Sequence, residues 1–424
     1  MRAVVVFAAA LALVVVPGAA AWTPLTPDML ENHTDPSVLR TPAGTELVAY
    51  SVARSGSLQL IRGSLPPQTI ASGWPSIADP QLVQQGATTL LYVGGSTPGL
   101  ALQGALRFGS SDGGSTWTGP LETNPSSTIG DIQAAAIRPD GTPLFSQDGT
   151  GFVNVYQGLN GELLHNAYPS CCGYAESFAV DSTGLAEIAF WSNFGRSQIE
   201  WMALDPGGGP TGAAFDLSGG NAEQESGRVP LVADASGNSY VGWVGGSVVN
   251  VTRITREQPN GNYALPTGAG ARHLALTFEP RHDKLWIVWT RNGYLWAARA
   301  RHPAGAFAPT VVKTRIPGGR TAYGVEAVSA GGSVDAYLNL GGVSGSGLWR
   351  TRLLPGMHVS VVRGRHPHAI VTDDLVPVAG AVLRGGERSV RTNTRGRASL
   401  KGFRHHAVVR VRHGGYAPTT FRVP

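Results

Sequence analysis

The chain has 424 residues, with 57 Gly, 29 Pro, 42% apolar and 14% charged residues and a formal net charge of +5. An ordinary domain has about 7% Gly and about 25% charged residues, so this mixture excludes a coiled coil and a disordered charged tail protein. It suits short strands joined by tight turns, where Gly supplies the positive φ that hairpins need.

In chain order, residues 1–21 read as an export signal. Arg2 gives the positive start, residues 3–16 are apolar, Pro17-Gly18 breaks the run, and Ala19, Ala20 and Ala21 offer a small-residue cleavage site before Trp22. Fourteen apolar residues fall short of the roughly 20 that cross a bilayer as helix. The mature chain is expected to be secreted, with no transmembrane segment after cleavage.

From residue 22 to 355 one pattern recurs seven times: an apolar strand, a turn, a second strand carrying an aromatic, then a third strand. The aromatics are Tyr50, Tyr92, Phe145, Phe190, Trp243, Trp289 and Tyr337. Their mean spacing of roughly 48 residues lies in the range of β-propeller blades. The expected fold class is therefore all-β: a seven-bladed β-propeller, or a six-bladed one if the last unit is an extension. A pair of ordinary β-sandwiches is the alternative, because regular turn signals mark those too.

After Pro355 the strands shorten, and residues 356–424 are expected to form a small β-sandwich. Residues 358–424 hold twelve Lys or Arg against three Asp or Glu. Such a basic tail can hold a cell-wall polyanion by screened electrostatics, or Arg simply keeps it soluble. An exported chain makes nucleic acid an unlikely partner. Val376-Pro377-Val378-Ala379-Gly380-Ala381, the run 392–398 and Gly415-Tyr416-Ala417-Pro418 resemble the carboxypeptidase regulatory-like family of transthyretin-type sandwiches, which implies an accessory domain without catalysis of its own.

One motif is sharp. Ser110-Ser111-Asp112-Gly113-Gly114-Ser115-Thr116-Trp117 fits S-x-D-x-G-x-T-W at every defined position, through Ser110, Asp112, Gly114, Thr116 and Trp117. The Asp accepts backbone N–H groups of the turn, and the Trp packs between sheets. It is similar to the Asp-box (BNR repeat) of sialidase-like propellers, a folding device remote from chemistry. Gly44-Thr45-Glu46-Leu47-Val48-Ala49-Tyr50 is similar to a first-blade strand of that family. The same alignment puts Thr34 where the resemblance implies one of the arginines that clamp a sialic acid carboxylate, and a hydroxyl does not replace a bidentate guanidinium.

In a propeller the loops leading into the inner strands shape the channel mouth. Here those positions read Asp35, Asp79, Asp131, Glu176, Arg228, Arg272-His273 and Tyr323. The four carboxylates are the catalytic candidates, since paired carboxyls serve as acid and base when their pKa values are separated; an Asp before Pro also merely closes a turn. Arg228, Arg272 and Tyr323 are expected to bind ligand. So are Cys171 and Cys172 with flanking Tyr168 and Tyr174: exported adjacent cysteines pair with each other, stay free or link chains, and a vicinal disulfide would present a rigid apolar plate. The histidines show no metal-site spacing. No metal or other cofactor is expected, although calcium in a loop stays open. Three functions follow: an exported propeller binding carbohydrate or another small ligand, an exo-acting glycoside hydrolase, or a cell-surface interaction scaffold.

Overall fold

The computed structural model describes residues 16–17, 21–28, 35–78, 80–124, 131–148, 152–159, 162–168, 172–193, 195–206, 209–223, 227–279, 283–301, 310–342 and 345–424. Nearly all of its regular structure is antiparallel strand, as the Gly-rich, turn-rich composition requires. Seven sheets follow one another along the chain, each built on four consecutive antiparallel strands except the last. Their innermost strands, in order, are Ser37–Arg40, Gln81–Gln85, Asp131–Ile137, Gly173–Val180, Leu231–Ala233, Ala271–Glu279 and Thr321–Ser329. We number the sheets 1 to 7 accordingly. Each inner strand touches the next, and that of sheet 7 touches that of sheet 1, so the sheets close into a ring. The molecule is a β-propeller.

Sheets with two apolar faces need a neighbour on each side. Seven apolar clusters meet that need, one per junction. Leu47, Leu58 and Leu60 of sheet 1 pack on Leu91, Leu106 and Phe108 of sheet 2. Two junctions away, Trp286, Val288 and Leu295 of sheet 6 pack on Ala336, Leu338 and Leu340 of sheet 7. Val48, Tyr50 and Ile61 meet Tyr337 and Leu348 to join the last sheet to the first. All seven repeat aromatics fall on the second strands of their sheets and all are buried. Some stack across junctions, as Tyr92 does on Phe145 with centroids 5.4 Å apart.

The closure uses a segment the sequence reading left without structure. Trp22–Pro24 forms the outer strand of sheet 7, paired antiparallel with Gly345–Leu353. An edge position explains how a Pro-rich stretch joins a sheet. Trp22 Nε1 donates to the Arg315 carbonyl at 2.8 Å, and Arg320 grips Asp28 through two bonds of 2.7 and 2.8 Å. Just ahead of it, Val16–Pro17 pairs in parallel with Val312 and Lys313.

The turn at Ser110–Trp117 links the third and fourth strands of sheet 2. Asp112 accepts from the backbone N–H groups of Ser115 and Thr116 and from the hydroxyls of Ser110 and Thr116, all within 2.7 to 2.9 Å. Those bonds hold its carboxyl well below the usual range. Trp117 packs against the sheet 1–sheet 2 cluster. A Cβ on Gly114, at φ +85°, would come within 2.9 Å of Leu47 Cδ2, so the turn demands Gly there.

Residues 358–422 form two further four-stranded sheets around a shared core of Val371, Leu383, Leu400, Val409 and Val411. Arg299 of sheet 6 pins them to the ring. It donates to Asp373 at 2.6 Å and to Glu279 at 3.4 Å, and it lies over the rings of Trp286 and Tyr416. Pairing with Asp373 answers most of the cost of burying this guanidinium.

Candidate functional site

Four of the seven inner strands carry a β-bulge near their start. The register shifts between Ile132 and Ala134, between Tyr174 and Ser177, between Arg272 and Ala275, and between Ala322 and Gly324. Ala175 and His273 take positive φ inside two of these, 59° and 50°. A bulge puts one extra residue on one strand and re-aims the side chains beside it. The four bulges sit at one end of the ring axis, around a cavity of about 140 Å³.

Every sheet contributes to its wall: Asp35, Gln81, Ala134 with Ala135, Ser177 with Phe178, Gly227 and Arg228 with Pro230 and Leu231, His273 through Leu276, and Val325 with Glu326. Three charged groups set its electrostatics. Arg228 lies 3.4 Å from Glu326. Burial pushes the Asp35 carboxyl up to about 7; Arg228 opposes that rise and Glu326 adds to it. Glu326 is raised for the same first reason, again against the pull of Arg228. One guanidinium thus serves two carboxyls.

Asp35 fits because Gly324 makes room, whereas Gly227 merely lies in contact range. A Cβ on Gly324 would stand 2.5 Å from Asp35 Oδ1, and one on Gly227 would stand 3.8 Å from Oδ2. On the neighbouring inner strand Gln81 is 6% exposed, and its Nε2 has no hydrogen-bond partner among the described residues. A buried donor left without a partner costs about 1–3 kcal/mol, and none of the described residues answers this amide.

The structure brings together Asp35, Arg228 and His273 from the sequence-predicted set and distributes the others. Glu176 is fully buried within its bulge and accepts from Ser146 Oγ at 3.4 Å. Tyr174 turns away to lean on Trp191, with centroids 5.8 Å apart. Arg272 is exposed and does not line the cavity; its carbonyl accepts from Thr290 Oγ1 at 3.0 Å. Tyr323, on the bulge of sheet 7, lies over Gly341, where a Cβ would meet the ring at 2.3 Å. Asp131 opens its inner strand opposite Asp148, and Tyr168 closes Glu162–Tyr168 opposite Val153. The Cys172 carbonyl accepts from Asn193 N at 3.1 Å. Asp79 and Cys171 lie outside the described residues, as does Thr34. Gln81, Gly324 and Glu326 were not singled out from the sequence.

Three arginines do converge, at the other end of the inner strands. Asp335, fully buried on the second strand of sheet 7, binds Arg352 at 2.6 Å, Arg350 at 3.1 Å and Arg40 at 3.1 Å. Glu46 takes Arg40 at 2.9 Å and Arg350 at 3.1 Å. These guanidiniums are committed to the protein's own carboxylates across the sheet 7–sheet 1 junction, so they hold the ring rather than a ligand's anion.

No protein-family model matches the chain, and no curated protein matches it either. Solved structures are similar in fold. Selenomethionine-substituted virginiamycin B lyase from Staphylococcus aureus superposes with a TM-score of 0.50 at 12% identity, over 79% of this chain and 99% of that one. A protein of unknown function from Dyadobacter fermentans gives 0.49 at 13% identity, over 80% and 98%. A gluconolactonase from Xanthomonas campestris gives 0.40 at 14% identity, over 68% and 92%. At such identities the fold alone is shared.

Proposed function

We propose that this chain is an exported, ligand-binding propeller of the sialidase-like type, and that its axial cavity takes a small hydroxyl-rich ligand such as the terminal sugar of a glycan. The observation that carries this reading is the convergence of all seven sheets on one polar cavity lined by Asp35, Gln81, Arg228, His273 and Glu326. Polar convergent groups within a concave site are how proteins orient small ligands. The Ser110–Trp117 turn supports the sialidase-like relationship, and residues 1–21 support export.

Hydrolysis is the second reading, favoured by two carboxyls on one cavity. Acid–base work needs their pKa values pushed apart, and burial raises both Asp35 and Glu326, so turnover is what separates this reading from binding.

A glycan array run beside a panel of aryl glycosides tests both. Binding without turnover, weakened roughly tenfold or more by Arg228→Gln or Glu326→Gln, is the expected result. Gly324→Ala should weaken it too, because the new methyl displaces Asp35 without removing any charge. Turnover abolished by Asp35→Asn would move the assignment to a hydrolase, and silence in both assays would overturn the two ligand readings.

A further inference from the structure

One sheet of the C-terminal sandwich orders its strands Arg388–Arg391, Val382–Gly385, Val408–Arg412 and Thr419–Arg422. Successive side chains in a strand take opposite faces. Leu383, Val409 and Val411 belong to the sandwich core, so Arg384, Arg391, Arg410, Arg412 and Arg422 stand on the other face, and all five are exposed. The register sets them side by side. Arg384 pairs with Arg410, Val382 stands between Arg391 and Arg412, and Val408 pairs with Arg422. With strands about 4.8 Å apart and same-face residues about 6.8 Å apart along a strand, the five guanidiniums rise from a patch roughly 15 Å across.

Nothing on that face offsets the charge. Its other positions are Val382, Ser389, Val408 and Thr420, and the one carboxylate from residue 375 onward is Glu387, in a turn. Elsewhere the protein pairs its arginines: Arg40, Arg299 and Arg320 each bind a carboxylate. None of the five on this face meets one among the described residues. Like charges directly opposite on neighbouring strands destabilise a sheet. Solubility does not require that juxtaposition, since interspersed charges of both signs serve it as well.

The chemistry of the patch selects among polyanions. Guanidinium forks hold carboxylates bidentately. The face has no aromatic ring on which a nucleobase could stack, and its one exposed large apolar side chain, Val408, is too little to anchor in a lipid surface. A linear polymer with a carboxylate on each sugar answers what remains: repeated positive charge across a flat sheet, at intervals on the order of a sugar ring. We infer that this face binds an acidic polysaccharide, with Arg384 and Arg410 at the centre of the contact and Arg391, Arg412 and Arg422 around them. It shares no residue with the axial cavity, so it stands or falls independently of the ligand reading there.

Biolayer interferometry of the full chain on immobilised polygalacturonate tests this, with the fully methyl-esterified polymer as the uncharged counterpart. The acidic polymer should bind at least about tenfold more tightly than its ester, and its affinity should fall steeply between about 0.05 and about 0.5 M salt. Arg384→Gln/Arg410→Gln should weaken it at least about tenfold. Arg391→Gln/Arg412→Gln, a second pair on the same face, should do likewise, so that a folding defect in one pair leaves the other to decide. Arg363→Gln/Arg397→Gln removes the same charge from exposed positions on the side of the other sheet, and the loss there should stay below about threefold.

Equal losses in all three double variants would trace binding to net charge rather than to this face and overturn the inference. So would binding of the ester as tight as that of the acid. Tighter binding to phosphatidylglycerol vesicles or to a single-stranded oligonucleotide than to polygalacturonate overturns it as well.

Discussion

The two ends of the inner strands hold the same kinds of side chain and treat them in opposite ways. At the cavity one guanidinium, Arg228, stands among two carboxyls, and Asp35 is driven up to about 7. At the far end three guanidiniums, Arg40, Arg350 and Arg352, surround Glu46 and Asp335. Burial alone would raise Asp335 as well, but Arg352 and Arg350 overcome it and hold the carboxyl below its usual value. Burial is common to both; the ratio of cations to carboxyls decides the sign. Where cations outnumber carboxyls the cluster fastens two sheets, and where they do not, burial wins.

The strongest way to break this comparison is to remove the hub of the fastener. Asp335 is fully buried and ties sheet 7 to Arg40 of sheet 1 across the ring closure. Asp335→Ala leaves Arg352 without its partner and Arg40 and Arg350 with Glu46 alone, and losing the buried member of such a cluster costs up to about 3–5 kcal/mol. Urea unfolding should show that loss as a lower midpoint. A loss below about 1 kcal/mol would place the closure in the apolar cluster and the Trp22–Pro24 strand alone.

The two ends should also impose opposite slopes of stability against pH. Asp335 binds its proton more weakly when folded, so its contribution is present above the unfolded carboxyl value, about 4, and is lost as pH falls through the folded value. Asp35 keeps its proton in the folded state up to about 7, whereas the unfolded chain releases it near 4. Between those limits the folded state binds more protons, so stability falls as pH rises. Glu187 acts in the same window. It is pushed up to about 7 by burial, against hydrogen bonds from Ser239 and Trp201, the latter 3.1 Å from its Oε2. Thermal melts at pH about 5 and about 8 should therefore favour the lower pH. Asp35→Asn should remove part of the difference and Glu187→Gln a further part. A gap unchanged in Asp35→Asn would mean that its carboxyl is ionised in the folded protein throughout.

Much of this architecture could be read from the chain, and the exceptions have a physical cause. The seven aromatics marked the second strands because a large ring between two sheets can sit only where both faces are covered. Asp35 and Arg228 were legible as cavity groups because they precede their inner strands, where loop geometry alone delivers them to the axis. Glu326 was not, since a period-two alternation tells which face a side chain takes only while register holds. In sheets 6 and 7 the bulges shift that register, so His273 and Glu326 line the cavity while the neighbouring Arg272 and Tyr323 are re-aimed. Trp22–Pro24 was missed for a different reason: its pairing partner lies more than three hundred residues along the chain, and nothing in its Pro-rich composition announces a strand.

The smallest effect should come from thinning the fastener without removing its hub. Arg352 makes the shortest contact to Asp335, 2.6 Å, yet its side chain is 52% exposed. Solvent screens such a bond, and Arg40 and Arg350 still hold the carboxylate at 3.1 Å each. Arg352→Gln is therefore expected to cost less than about 1 kcal/mol, and the cost should shrink further in about 1 M salt. Arg228→Gln offers no such redundancy. It removes the one guanidinium among the described lining residues, and Asp35 should rise beyond its present value, which NMR titration of the carboxyl carbons would report. If Arg352→Gln instead proved as damaging as Asp335→Ala, bond length rather than the cation-to-carboxyl ratio would govern the cluster, and the contrast between the two ends would need another cause.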